Sequence, residues 1–275
     1  MDNTVLFAFG LTLLAGLSTG VGSLIGLMTR TTNRGFLSFS LGFSGGVMIY
    51  VSMIEIFAKS KTSLSEAWGP VSGAWGAAGA FFAGVAIMGL IDRLIPENDN
   101  PHEIHSVEEM EGGANAAVRA HKHSFKPLGR TGVFVALAIA IHNFPEGLAT
   151  FMAALQDPKL GIAIAVAIAI HNIPEGISVS VPIYFATRSR KKAFWWSFAS
   201  GLSEPVGAIV GYTLLRPFMN GTMFGLVFAV VAGFMVYISL DELLPAAREY
   251  GRHHTSILGV FCGMAVMAVS LLLFI

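Results

Sequence analysis

The chain consists of long apolar runs separated by short polar or Gly- and Pro-containing connections. A helix needs roughly 20 residues to cross a bilayer core of about 30 Å, and eight of these runs reach that length. The pattern predicts an all-α, polytopic membrane protein that forms one transmembrane domain. The predicted spans lie near residues 4–28, 36–58, 70–94, 130–154, 160–185, 193–215, 222–246 and 255–275 of the 275.

Composition agrees with this pattern. Hydrophobic residues make up 54% of the chain and charged residues only 12%, whereas about a quarter of a soluble domain is charged. The predicted partner of most of this surface is therefore the lipid bilayer. The formal net charge is zero, which gives no indication of a nucleic-acid partner.

The distribution of basic residues predicts the orientation of the spans. Thirteen of the 17 Lys and Arg residues lie in or beside the odd-numbered connections, and connections rich in Lys and Arg stay in the cytoplasm. The odd connections are therefore expected to be cytoplasmic and both termini extracytoplasmic.

The outer spans contain an internal repeat. The segment GVMIYVSMIEIF from Gly46 aligns without gaps on GFMVYISLDELL from Gly233, and GLSTGVGSLIG from Gly16 aligns on GLSEPVGAIVG from Gly201. These matches relate the second span to the seventh and the first to the sixth. A weaker match relates the third span to the eighth.

The repeat predicts two copies of opposite orientation. Spans one to three, near 4–94, recur as spans six to eight, near 193–275. Because the shift of five helices is odd, the second copy must run in the opposite direction through the membrane. The predicted plan is a 3+2+3 inverted repeat around the central spans near 130–185. Secondary transporters are built in this way and bind substrate near the midplane.

The two central spans carry the same polar motif, HNFPEG from His142 and HNIPEG from His171. On a helix, His142 and Glu146 are four residues apart and Asn143 and Glu146 three apart, so the three side chains share a face. The Pro in each copy predicts a kink. The second copy places His171, Asn172 and Glu175 in the same way.

These residue types favour a metal ion. A charge at mid-bilayer costs about 2.5–3.5 kcal/mol on insertion scales, so such side chains pair, line water or hold an ion. Imidazole, carboxylate and amide oxygen together suit Zn²⁺, Fe²⁺, Mn²⁺ or Co²⁺. Glu204, whose repeat counterpart is Thr19, is a candidate for a further carboxylate ligand.

A few other polar or soft side chains lie within the spans. Glu55 and Glu242 occupy equivalent depths near opposite membrane faces, Met48 lies deeper, and Asp92 lies near a span end. They are candidates for additional ligands or for relays at the entrance and exit. The alternative is that a carboxylate near a helix end simply contacts interfacial water.

The third connection, 95–129, is predicted to be a cytoplasmic loop because it is long, polar and without periodicity. It contains four His residues, which leaves weak metal binding by this loop as an open alternative to a solvated linker.

The doubled HNxPEG motif resembles that of the ZIP (Zrt-, Irt-like protein) family of divalent metal transporters, and in particular its bacterial ZupT-like zinc-uptake branch. The similarity extends over nearly the whole chain and includes GFSGGVM in the second span and SLDELLP in the seventh. The resemblance implies inward transport of Zn²⁺ or Fe²⁺ as substrate, without an organic cofactor or an enzymatic reaction. It also implies a location in a bacterial plasma or inner membrane, a homodimer and an elevator-like motion of four helices.

The resemblance further implies a two-metal centre. His142, Glu146, His171 and Glu175 match the first metal position, for which Met48 matches a soft ligand. The residues that match the second position are Asn143, Asn172 and Glu204, with Glu146 and Glu175 shared.

Three other interpretations remain at this point. A metal-gated channel or a metal sensor would contain a similar static site. An intramembrane zinc hydrolase would place its ligands and base as H-E-x-x-H, an order that the HNxPEG motifs do not have.

Overall fold

The fold is described here from a computed structural model, which places residues 3–28, 34–94, 143–187, 189–218, 220–251 and 253–273. Almost all of these residues are helical. We number the α-helices in chain order: α1 Asn3–Met28, α2 Arg34–Tyr50, α3 Phe57–Trp68, α4 Pro70–Leu94, α5 143–156, α6 Pro158–Thr187, α7 Arg190–Gly201, α8 Ser203–Leu215, α9 Gly221–Ile238, α10 Leu244–Tyr250 and α11 His253–Leu272.

Within these ranges, six helices are long and apolar enough to cross a membrane, which confirms a polytopic membrane protein. Eight spans were predicted. The first half of the predicted fourth span, the 95–129 loop and His142 lie outside the described residues. The predicted sixth span is present but divided, so neither α7 nor α8 reaches the length of a complete span.

The division of the sixth span follows from Pro205. This residue has no N–H for the carbonyl of Gly201, and its ring displaces that carbonyl from the helix. α7 accordingly ends at Gly201 and α8 begins at Ser203. The Ser203 hydroxyl donates to the carbonyl of Ser200 at 2.6 Å, so one of the carbonyls left at the end of α7 gains a partner.

The second span extends beyond its predicted end near residue 58. α3 continues it to Trp68 and ends at Gly69, whose φ is +88°. The polar residues around Lys59 and Lys61 made this segment look like a connection. Leu64 is nevertheless fully buried, and the Ser60 hydroxyl donates to the carbonyl of Gly225 on α9 at 2.7 Å. This docking keeps the segment helical.

Within the described ranges, two π-helical segments occur at aligned positions of the two repeats. One is Val51–Ile56, between α2 and α3, and the other is Ser239–Leu243, between α9 and α10. The first contains Glu55 and the second contains Glu242. Short π segments inside α-helices are frequent at functional sites. The repeat thus preserves a backbone irregularity as well as a sequence.

The helices pack into two sets. In the first, which we call the motif bundle, α1 packs on α6, α7 and α8, and α5 joins through Gly147, which lies against Glu204 of α8. In the second, the outer bundle, α2 packs on α10 and α11, and α9 packs on α3 and α4. The bundles meet where α6 packs on α2 and α11.

Close helix crossings occur at glycines that the repeat relates. A Cβ on Gly16 of α1 would lie closer than 3.0 Å to the Gly201 carbonyl oxygen, and a Cβ on Gly201 would lie equally close to the Gly16 oxygen. Related crossings pair Gly147 with Glu204 and Gly176 with Thr19, and they pair Gly46 with Val260 and Gly233 with Phe81. Small residues allow such close approach between membrane helices. These reciprocal contacts support the predicted inverted repeat, which stays a prediction in its full 3+2+3 form.

Candidate metal centre

The doubled motif lies on α5 and α6, and its described polar residues are buried. Glu146 and His171 have no exposed surface, and Glu175 is 4% exposed. One ligand atom from each of these three side chains lies within 4.8 Å of the other two. His171 lies near the middle of the 30-residue helix α6, which continues through Pro174 without interruption. The cluster is therefore deep within the helix set.

The contact that joins the two copies runs between Glu146 of α5 and His171 of α6. The His171 Nε2 atom lies 3.3 Å from the Glu146 Oε2 atom. The other ring nitrogen, Nδ1, has no hydrogen-bond partner among the described residues. An imidazole and carboxylates converging within a few ångströms are the donor set that Zn²⁺ binds.

The two asparagines extend the cluster towards α1, α7 and α8. Asn172 Nδ2 donates to the Glu204 Oε1 atom and, at 2.9 Å, to the carbonyl of Ala15. Asn143 Nδ2 donates to the Ser200 hydroxyl at 3.3 Å. Glu204, in the first turn of α8, is completely buried. The structure thus places Glu204 beside Asn172 of the second motif; its role as a ligand stays a prediction.

Several acceptor atoms of this cluster remain available. In the part of the chain that is described, the Oδ1 atoms of Asn143 and Asn172 and the Oε2 atom of Glu204 have no hydrogen-bond partner, although all are buried. Native structures rarely leave buried polar atoms in this condition unless a water or an ion occupies the gap. Amide and carboxylate oxygens are also ligands that divalent cations bind.

The charge of the centre favours a cation. Glu146, Glu175 and Glu204 lie close enough together for the first two to act electrostatically on the third. Three ionised carboxylates in a low-dielectric interior repel one another unless protons or cations lie between them. A divalent ion removes most of this repulsion when it binds.

Among the described residues, the predicted acidic relay residues are not part of this three-residue cluster. Met48 is fully buried on α2, in the core where α2 meets α6. Glu55 is partly buried in its π segment, 3.9 Å from the Lys59 ammonium. Glu242 is buried in the other π segment, and Asp92 is partly buried near the end of α4. His142 lies outside the described residues.

Asp92 and Glu242 belong to a second group of acidic side chains. The Tyr237 hydroxyl and the carboxylates of Asp92 and Glu242 all lie close enough to the Asp241 carboxylate to act on it electrostatically. The Tyr237 ring packs over Gly89 of α4, one turn before Asp92. This group joins α4 to the end of α9 in the outer bundle.

Sequence reasoning missed the groups that position the motif residues. Ser23 Oγ donates to the carbonyl of Thr19 at 2.9 Å and contacts the Ser197 hydroxyl at 2.5 Å, and Ser197 Oγ donates to the carbonyl of Gly176 at 3.2 Å. These hydroxyls connect α1 and α7 to α6 directly after Glu175. Serines spaced among apolar residues gave no distinctive signal, since most of them bond their own helix.

Known proteins match the chain closely. The family model described as ZIP Zinc transporter matches residues 96–271. The chain belongs to the ZIP zinc transporter family. Three relatives named "Zinc transporter ZupT" match over nearly their full lengths. The protein of Nitratidesulfovibrio vulgaris is 61% identical over 100% of this chain and 99% of its own, that of Clostridium perfringens 60% over 99% and 98%, and that of Streptococcus mutans 58% over 100% of both.

Proposed function

We propose that this ZIP-family chain is a transporter, not an enzyme, that carries Zn²⁺ into the cytoplasm. The observation that carries the proposal is the buried cluster of Glu146, His171 and Glu175 between two membrane helices. The names of the full-length relatives support zinc as the substrate. Fe²⁺, Mn²⁺, Co²⁺ and Cd²⁺ are proposed as further substrates, since the same donors accept them.

The proposed centre holds two ions. The first position uses His171 and Glu175 from the second motif, together with Glu146 and His142 from the first. The second uses Glu204 and the amide oxygens of Asn143 and Asn172. Support comes from the Asn172–Glu204 contact and from the buried oxygens that have no described partner. Because Glu146 and Glu175 are shared, an ion at either position neutralises charge at the other.

The proposed path begins and ends at the relay residues. Glu55, beside the exposed end of the second span, receives the hydrated ion, and Met48 lies between Glu55 and the centre along α2. Asp92 and Glu242 receive the ion on the cytoplasmic side. The partial exposure of Glu55 and the acidic group around Asp241 support these roles.

An elevator motion is supported by the division into two bundles. The side-chain hydrogen bonds of the centre join α1, α6, α7 and α8 of the motif bundle, and those of Ser38 and Ser60 join helices of the outer bundle. Between α5 and α9 lies a groove of about 310 Å³ lined by apolar side chains such as Phe144, Val227 and Phe234. Apolar surfaces slide past one another without breaking hydrogen bonds, so we propose that the motif bundle moves as a unit. A homodimer would hold the outer bundles fixed.

The proposed orientation is tested by cysteine labelling. In a Cys262→Ala background, Lys61→Cys is expected to react with a membrane-impermeant maleimide in intact cells, because α3, the end of the second span, is placed on the outside. Lys191→Cys is expected to react only after permeabilisation. Both positions are exposed. The opposite labelling pattern would show that both termini are cytoplasmic.

Zinc transport is tested in proteoliposomes loaded with a fluorescent zinc indicator. The purified protein is expected to produce saturable zinc influx that protein-free vesicles lack. Unlabelled zinc inside the vesicles should accelerate the influx of labelled zinc, because a carrier exchanges substrate faster than it returns empty. A channel shows no such acceleration, and a sensor or hydrolase gives no influx. Influx no greater than in empty vesicles would exclude transport.

A further inference from the structure

The two halves of the metal centre differ at one repeat-related position. The carbonyl of Glu204 lies against Gly147, directly after Glu146, and the carbonyl of Thr19 lies against Gly176, directly after Glu175. Thr19 therefore occupies on α1 the place that Glu204 occupies on α8. The half of the centre that faces Thr19 contains a hydroxyl where the other half contains a carboxylate.

The hydrogen-bond partners of the two motif asparagines differ between the two halves as well. Asn172 donates to Ala15 and to Glu204, whereas its counterpart Asn143 donates to Ser200, and Ser200 aligns with Ala15 in the repeat. A Thr side chain is shorter than a Glu side chain. Within the described ranges, Thr19 Oγ1 has no hydrogen-bond partner, and neither does Asn143 Oδ1.

These two oxygens lie in the same part of the motif bundle. Thr19 Oγ1 would be 3.0 Å from a Cβ on Gly201, which follows Ser200, the residue bonded to Asn143. Both Thr19 and Asn143 are completely buried. An ordered water at a buried site needs about two to four polar partners, and two buried oxygens without a described partner meet that need in part.

We propose that Thr19 Oγ1 and Asn143 Oδ1 form a neutral half-site, in which Asn143 Oδ1 ligates the transported ion directly and Thr19 Oγ1 holds a water molecule bound to that ion. The proposal rests on the proposed function. Where Glu204 supplies a carboxylate to one half of the centre, Thr19 leaves the ion partly hydrated in the other. Ions that keep water and neutral oxygen ligands readily, such as Mn²⁺, depend on this half-site more than Zn²⁺ does.

The test compares the KM for Mn²⁺ and Zn²⁺ influx in proteoliposomes of three variants. Thr19→Val keeps the shape of the side chain and removes the hydroxyl, and it is expected to raise the KM for Mn²⁺ by about 10-fold and that for Zn²⁺ by a smaller factor. Thr19→Ser keeps the hydroxyl and should retain the wild-type ratio of the KM for Mn²⁺ to the KM for Zn²⁺. The control is Thr12→Val, because Thr12 is equally buried on α1 but its hydroxyl bonds the carbonyl of Ala8 at 3.0 Å.

An unchanged ratio of the KM for Mn²⁺ to the KM for Zn²⁺ in Thr19→Val would overturn the proposal. The same change of that ratio in Thr12→Val would also overturn it. Wild-type protein that moves neither metal would instead exclude the proposed function. Electron–nuclear double resonance of Mn²⁺ bound to the wild-type protein in ¹⁷O-enriched water gives a second measurement that does not depend on the folding of any variant. It should detect a water oxygen on the ion, and its absence would also overturn the proposal.

Discussion

Replacing Glu146 by Gln is expected to reduce zinc influx at least about 100-fold, since loss of even an outer-shell partner costs about 10- to 100-fold in metal affinity. Glu146 is completely buried and contacts His171. It is also one of the two carboxylates shared by both proposed ion positions. The substitution keeps the size of the side chain and removes one negative charge, so the effect on binding exceeds the effect on packing.

The measurement is the initial rate of zinc influx into proteoliposomes at several zinc concentrations, combined with zinc binding by the detergent-solubilised protein. Glu66→Gln is the matched control, because Glu66 is exposed at the end of α3 and should keep the wild-type rate. A Glu146→Gln protein that elutes normally in size-exclusion chromatography and transports zinc at the wild-type rate would exclude Glu146 as a ligand.

The variant Gly22→Ala is expected to lose both thermal stability and transport. A Cβ at residue 22 would lie closer than 3.0 Å to the carbonyl of Ile173 on α6, two residues after His171. Overpacking of this kind lowers the free energy of unfolding by about 1–3 kcal/mol. This corresponds to a fall of roughly 5 °C in the midpoint temperature of unfolding for a chain of this size. Separation of α1 from α6 would also displace His171 from Glu146.

Gly10→Ala is the matched control in the same helix, since a Cβ at Gly10 would meet no atom within 4 Å. Alanine has the higher helix propensity, so this variant should be at least as stable as the wild type. The midpoint is measured in detergent by thiol-reactive dye fluorescence at Cys262 or by aggregation. Equal midpoints for the two variants would show that the α1–α6 crossing tolerates a side chain at residue 22.

The spans were predictable because lipid exposure imposes a long apolar run on each membrane helix. The predictions near 4–28, 70–94 and 160–185 agree with α1, α4 and α6 within about two residues. The irregular elements were not predictable in the same way. The extension of α3 to Trp68 depends on the docking of Leu64, and the π segments depend on contacts that hydropathy does not contain.

The sequence by itself determined the membrane class, the apolar spans and the repeat, and it supplied the candidate ligating side chains, since each of these follows from residue type and spacing along the chain. Only the tertiary structure decided which atoms meet: Asn172 with Glu204, Asn143 with Ser200, and Thr19 with neither asparagine. Such contacts depend on the rotation and register of neighbouring helices. Rotation and register are set where glycines allow two backbones to touch. The spacing of residues within one helix does not reveal them.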